Sequence, residues 1–225
     1  MKDPNKRAFG GLLWLFVAMA ALIFIPAWTF DYWQAWVFLA VFFASALAIY
    51  LYLMKNDPML LERRRKGGPG AEKEKSQKII MFLASVSFIA LIVFPAIDHR
   101  FAWSPVLPYV ALAGDVLIVI SYLAIFFVFK VNTFTSAIIQ VDSEQKVIST
   151  GPYALVRHPM YAGSFFMLIG VPLALGSWWG LFIIIPLLSV LIWRLLDEEK
   201  FLSKNLRGYS EYQNTVRYRL VPYIW

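Results

Sequence analysis

The chain has 225 residues, of which 60% are hydrophobic, 17% aromatic and only 16% charged, with a formal net charge of +7. Soluble domains carry about 25% charged residues, whereas the mean hydropathy here is +0.63. These figures exclude a disordered chain, a coiled coil and a nucleic-acid-binding module, and they point to a protein whose solvent is mostly lipid.

A spanning helix needs roughly 20 apolar residues. In chain order the candidates are Phe9–Trp28, Gln34–Met54, Ile79–Ile97, Pro105–Phe129, Pro159–Leu175 and Trp178–Leu196. The fifth is the shortest and reads as tilted or only partly spanning. Pro26, Pro95, Pro172 and Pro186 interrupt four of these runs, which lipid-buried helices tolerate when neighbours satisfy the freed carbonyls. The expected fold is an all-α polytopic transmembrane bundle of about six spans. Residues 1–128 supply N-terminal membrane helices. Residues 129–225 form a second region with a terminal helical hairpin and a cytosolic tail.

Basic residues precede the first candidate span (Lys2, Lys6, Arg7), crowd the connection between the second and third, and recur from Lys130 to Arg157 and from Arg194 to Arg219. Six spans put all of these on one side and leave only Arg100 on the other. The positive-inside rule then places both termini in the cytoplasm. The connection Glu62–Lys78, with three glycines and a proline, reads as a solvated cytoplasmic loop near anionic head groups. The short N-terminal region suggests a prokaryotic cell membrane, or the endoplasmic reticulum if the source is eukaryotic. Asp115, about ten residues into the fourth span, is costly at that depth and should face the protein interior, either hydrogen-bonded or along a substrate channel.

There is no cysteine, so disulfides, thiolate metal sites and a cysteine nucleophile are excluded. The two histidines, His99 and His158, share no metal-ligand spacing, and no metal is expected. His99 reads as an ordinary loop residue.

The least membrane-like stretches are 132–159 and 197–225. The first contains Arg157-His158-Pro159-Met160-Tyr161-Ala162-Gly163. Pro159 suits the first position of a helix and disfavours helix at His158. Arg157 and His158 then sit at a helix N-terminus, where free N–H groups and the dipole favour negative charge. Alone, Arg157 would read as an interface residue with a snorkelling stem. Spans five and six form a hairpin turned by Gly176-Ser177, and both legs cross the hydrocarbon core. The hairpin returns Glu198-Glu199 to the membrane face that holds Arg157 and His158. Gly208, a plausible helix C-cap, Tyr209, Tyr212 and Arg217 follow.

The R-H-P-x-Y-x-G stretch, the apolar hairpin, the E-E pair, G-Y-x-x-Y and a closing R-x-R-L-x-P resemble the isoprenylcysteine carboxyl methyltransferase family and related membrane methyltransferases of phospholipids and small thiols. The resemblance covers roughly residues 129–225. It implies S-adenosylmethionine as methyl donor, held near the cytosolic face by the last two spans and the tail. No G-x-G-x-x-G follows a predicted strand, so a Rossmann site is absent.

Residue by residue, the resemblance assigns the donor to His158, Pro159, Tyr161, Gly163, Glu198, Glu199, Tyr209 and Tyr212. Either glutamate suits the ribose diol or the amine, with Glu199 favoured. Backbone donors around His158 suit the carboxylate, and the tyrosines suit adenine or the sulfonium. Arg157 and Arg217 are the candidate catalytic residues. Arg217 is expected to grip an anionic group of the acceptor with its planar fork, while Arg219 serves lipid phosphates. Polar Asn132, Thr133, Thr135 and Ser136 read as a rim at the cytosolic end of the fourth span, which either lines a substrate entry or only satisfies backbone there. The partners implied are membrane lipids and a lipophilic or prenylated small-molecule acceptor, not nucleic acid. Two other classes fit the hydropathy: a sterol-type reductase with a nicotinamide cofactor, and a non-catalytic transporter or scaffold.

Overall fold

The computed structural model describes residues 4–65, 67, 68, 70–72, 74–142 and 144–225, with side chains from Gly10 onward. Among these the structure is all-helical. The helices are α1 (Pro4–Ala27), α2 (Trp33–Asn56), α3 (Pro58–Arg65), α4 (Lys75–Phe101), α5 (Pro108–Val131), α6 (Pro159–Ala174), α7 (Ile184–Asn205) and α8 (Tyr209–Thr215), with 3-10 turns at Gly151–Ala154 and Trp179–Ile183. Five of them, with the second 3-10 turn continuing into α7, are long and apolar enough to cross a membrane. The sixth apolar helix, α6, has 16 residues. At 1.5 Å per residue that is about 24 Å, short of a hydrocarbon core of about 30 Å.

The helix ends follow local chemistry. Pro159 opens α6, as its lack of an N–H allows. Gly176 closes α6 with φ 71, and the N–H groups of Gly176 and Ser177 donate to Leu173 O and Pro172 O, both at 2.8 Å. That is the crossed pattern of a Schellman end. Gly208 takes φ 84 between α7 and α8.

The connection Glu62–Lys78 is not one solvated loop. Glu62 to Arg65 belong to α3 and Lys75 to Lys78 to α4. Asp57 starts α3 by accepting the Leu60 N–H at 2.9 Å, with Pro58 at the first helical position. Glu72 is 3% exposed. Lys66, Pro69 and Lys73 lie outside the described residues.

The chain divides into two compact units, and several helices contribute to both. The first comprises residues up to Ala48, Ser87–Val119 and Phe166–Ile185. Its core includes Ile23, Phe38, Leu39, Leu91 and Ile92, each essentially buried. Asp98 binds the N–H of Ser104 at 2.8 Å, its hydroxyl at 2.6 Å and the Ser177 hydroxyl. This clasp joins the α4–α5 connection to the turn after α6. His99 is not in a loop: it ends α4 and stacks on Tyr32 at 3.7 Å between ring centroids. Gly114 of α5 abuts α6, where an added Cβ would stand 2.3 Å from Ala174 N. Asp115, 5% exposed, has no partner for either carboxyl oxygen among the described residues. The expected hydrogen bond is therefore not seen.

The second unit comprises Ile49–Val86, Ile120–Phe165 and Pro186–Trp225. One apolar cluster gathers Leu53, Leu60 and Phe129; another gathers Leu206, Tyr209, Tyr212 and Val216. The Arg157–Gly163 stretch, the Glu198-Glu199 pair, Tyr209, Tyr212 and Arg217 lie in this unit, whereas the turn of the hairpin lies in the first.

Candidate functional site

The site is built around Glu199, two-thirds of the way along α7. Arg157 Nε donates to its Oε1 at 2.7 Å, His158 Nε2 lies 3.2 Å from the same oxygen, and Arg219 Nε donates to Oε2 at 2.9 Å. The side chains of Arg157, His158 and Glu199 are 7% exposed or less. A buried carboxylate needs this degree of pairing, because an isolated one would be prohibitively costly.

The same arginine ties down the tail. Arg157 Nη1 donates to Val216 O and Arg217 O, both at 2.8 Å. The N–H groups of Arg157 and His158 donate to Tyr218 O at 2.9 Å and Arg219 O at 3.0 Å. These backbone donors, expected for an anionic ligand, are thus occupied by the tail. Further on, the N–H groups of Arg219, Leu220 and Val221 all donate to Trp225 O, and the Arg219 guanidinium lies 5.2 Å from the Trp225 ring centroid. The tail does fold back over the hairpin mouth, but it delivers Arg219. Arg217 is exposed, and what reaches the site is its carbonyl. The tail's register, set by pairing with residues 157 and 158, decides which arginine turns inward.

Against this cluster lies a cavity of about 110 Å3, lined by Arg157, His158, Tyr161, Glu198, Tyr209 and Tyr212 and, across from them, by Asn132, Phe134 to Ser136 and Lys146. Glu198 is the one carboxylate among the described lining residues, and it accepts the Tyr161 hydroxyl at 2.9 Å. Tyr212 donates to Tyr153 O at 2.7 Å, and Asn132 Nδ2 donates to the Tyr153 hydroxyl at 2.9 Å. The Tyr209 hydroxyl is buried with no partner among the described residues. Burial pushes the Tyr153 hydroxyl up to about 12, against the opposing hydrogen bond from Asn132. Burial raises Tyr209 and Tyr212 further. These three phenols therefore stay neutral at physiological pH.

The motif residues thus separate into two groups. Arg157, His158, Tyr161, Glu198, Tyr209 and Tyr212 line the cavity, whereas Glu199 pairs behind its wall and Pro159 and Gly163 are not among the lining residues. Gly163 serves close packing: a Cβ there would come 2.8 Å from Ala124 Cβ on α5. Tyr153, Lys146 and Arg219 join the site without having been singled out for it by the sequence. Of the expected polar rim, Asn132, Thr135 and Ser136 line the cavity, but Thr133 O and Ser136 O are held by Arg63 and Arg64. Among the described residues, no group of acidic and histidine side chains could hold a metal ion.

A buried hydroxyl without a partner costs on the order of 1–3 kcal/mol. The one carboxylate and the aromatic rings of the lining suit a cationic ligand that donates hydrogen bonds. Residues 109–208 match the family model described as phospholipid methyltransferase. That stretch holds most of the cavity wall and ends just before Tyr209. The chain is also similar to Delta(14)-sterol reductase TM7SF2 of Mus musculus, with 30% identity over 84 residues. That similarity covers 36% of this chain and 20% of the reductase, so the chain spans about a fifth of that relative's length.

Proposed function

We propose that the protein is an integral-membrane methyltransferase that takes its methyl group from S-adenosylmethionine and passes it to a lipophilic acceptor. The observation that carries the reading is the cavity that collects Arg157, His158, Tyr161, Tyr209 and Tyr212 around one carboxylate, Glu198. The match of residues 109–208 to phospholipid methyltransferases supports it. The cavity walls fall between Asn132 and Tyr212, which supports residues 129–225 as the catalytic region.

Bound here, adenosylmethionine would supply an electrophilic methyl group on a sulfonium, with a neutral thioether as the leaving group. Glu198 would accept hydrogen bonds from the ribose diol or the donor's amine. Tyr209 brings its ring to the wall, and its buried hydroxyl has no partner among the described residues. Tyr161, Tyr209 and Tyr212 surround a cation with aromatic and neutral phenolic groups. Arg157 and Arg219 hold Glu199, and through it α7 and the tail, so that Glu198 stays aimed at the cavity. The rest of the catalysis is alignment and exclusion of water. A carboxylate acceptor, as in a prenylated cysteine, needs no base. The ammonium of a phospholipid head group must first lose a proton, and Glu198 is the carboxylate in place to take it.

The test is transfer of radiolabelled methyl from adenosylmethionine into a lipid extract by purified protein, lost in Glu198→Gln. A second reading, a reductase with a nicotinamide cofactor, is favoured by the similarity to the sterol reductase. It predicts no labelled lipid.

A further inference from the structure

The cavity beside Tyr209 measures about 110 Å3, whereas sites enclosing small organic ligands measure about 300–1,000 Å3. A second cavity, of about 670 Å3, lies against the same stretch of chain: Ile139 and Gln140 line both. Its other walls include Gln77, Asp142, Asp197, Lys200 and Lys204. The partition between the two cavities is irregular chain, without helix or strand.

What holds the partition is the Arg63–Asp142 ion pair at 2.9 Å and a set of side chains that grip its backbone. Arg63 and Arg64 donate to Thr133 O at 2.8 Å and Ser136 O at 3.0 Å. Arg194 Nη2 donates to Ala137 O at 3.2 Å, and the Ile139 N–H donates to Glu72 Oε2 at 3.3 Å. Glu72 and Arg194 are buried and paired with each other, Nη2 to Oε1 at 2.9 Å. One ion pair, drawn from positions 122 residues apart, therefore closes on two neighbouring points of the partition. A buried pair adds little net stability over apolar side chains of the same volume, so stability alone does not account for it.

We infer that the Glu72–Arg194 pair is a latch on a strap, residues 137–142, which lifts to join the two cavities and admit the methyl donor from the larger one. The inference rests on the donor reading above. Closed, the strap forms one wall of the smaller cavity. Open, it removes the Ile139–Gln140 partition and offers the donor a space of the required size. Glu72 and Arg194 act as positioning residues: neither lines the smaller cavity.

The absence of cysteine makes the test clean. A Cβ on Gly67 would stand 2.9 Å from Ala137 Cβ, and disulfides need about 3.5–4.5 Å, so a small outward shift seats a bridge. In the full-length Gly67→Cys/Ala137→Cys protein, oxidation should slow binding of labelled adenosylmethionine at least about tenfold, and reductant should restore it. Equal rates in the oxidised and reduced forms would overturn the strap. Glu72→Gln gives an independent arm. Glutamine keeps one acceptor oxygen, so the bond to Arg194 or to the Ile139 N–H is lost. Donor dissociation, measured below the melting temperatures of both proteins, should then accelerate about tenfold or more. Unchanged dissociation overturns the latch. If the wild type itself binds no adenosylmethionine, the donor reading fails and this inference with it.

Discussion

Arg157 Nε lies 2.7 Å from Glu199 Oε1 across 42 residues of sequence. Both side chains are buried, and His158 and Arg219 complete the carboxylate's partners. Removing one member of a buried pair leaves the other charge uncompensated and costs about 3–5 kcal/mol. Glu199→Ala should therefore lower the thermal stability of the detergent-solubilised protein markedly. Glu198→Gln should melt near the wild type while weakening donor binding about 10- to 100-fold, the loss expected for one charge-assisted hydrogen bond. Calorimetric binding and a melting curve on both variants check this. Equal destabilisation in the two would contradict the division of labour between the neighbouring glutamates.

Tyr209 gives a prediction of the opposite kind. Its hydroxyl is buried and unpartnered among the described residues, so Tyr209→Phe removes a group the fold does not satisfy. Relief of a desolvation cost of order 1–3 kcal/mol should hold or raise the melting temperature, while donor affinity falls by up to about tenfold. A drop in stability with unchanged affinity would make the hydroxyl structural.

The two tail arginines should behave differently. Arg219 pairs with Glu199 and lies over the Trp225 ring, whereas Arg217 is exposed. Lysine cannot reproduce the Nε contact and the flat guanidinium together. Arg219→Lys should therefore lose most methyl transfer, and Arg217→Lys should keep most of it. The reverse outcome, with donor binding intact, would return Arg217 to the role of acceptor clamp.

By the positive-inside rule the α3–α4 connection should lie in the cytoplasm. Single cysteines introduced at the exposed positions Lys75 and Leu107 test it. In intact cells an impermeant thiol reagent should label Leu107→Cys and spare Lys75→Cys; the opposite pattern inverts the topology.

Much of this was legible in the sequence for physical reasons. The apolar runs marked the spans, because lipid tolerates little else. Pro159 marked the start of α6, and the length of the α6–α7 hairpin was enough to bring Glu199 back to Arg157. Finer features were not legible. Adjacent residues on a helix point about 100° apart, so which of Glu198 and Glu199 enters the cavity depends on the rotation of α7 against its neighbours. Arg219 reaches the site through the pairing of its carbonyl with the His158 N–H, a tertiary contact. Glu72 looked solvated amid charges and glycines, yet it is buried against Arg194, 122 residues away. Gly163 read as part of a ligand motif, but helix packing against Ala124 accounts for it.

The most direct test of the central claim is ligand-induced stabilisation of the purified protein. A ligand at about 100 times its dissociation constant stabilises the folded state by about 2.7 kcal/mol, a shift of several degrees at this chain size. Adenosylmethionine should raise the melting temperature, less so in Glu198→Gln, and a reduced nicotinamide dinucleotide should leave it unchanged. A shift with the nicotinamide cofactor and none with adenosylmethionine would contradict the methyltransferase account.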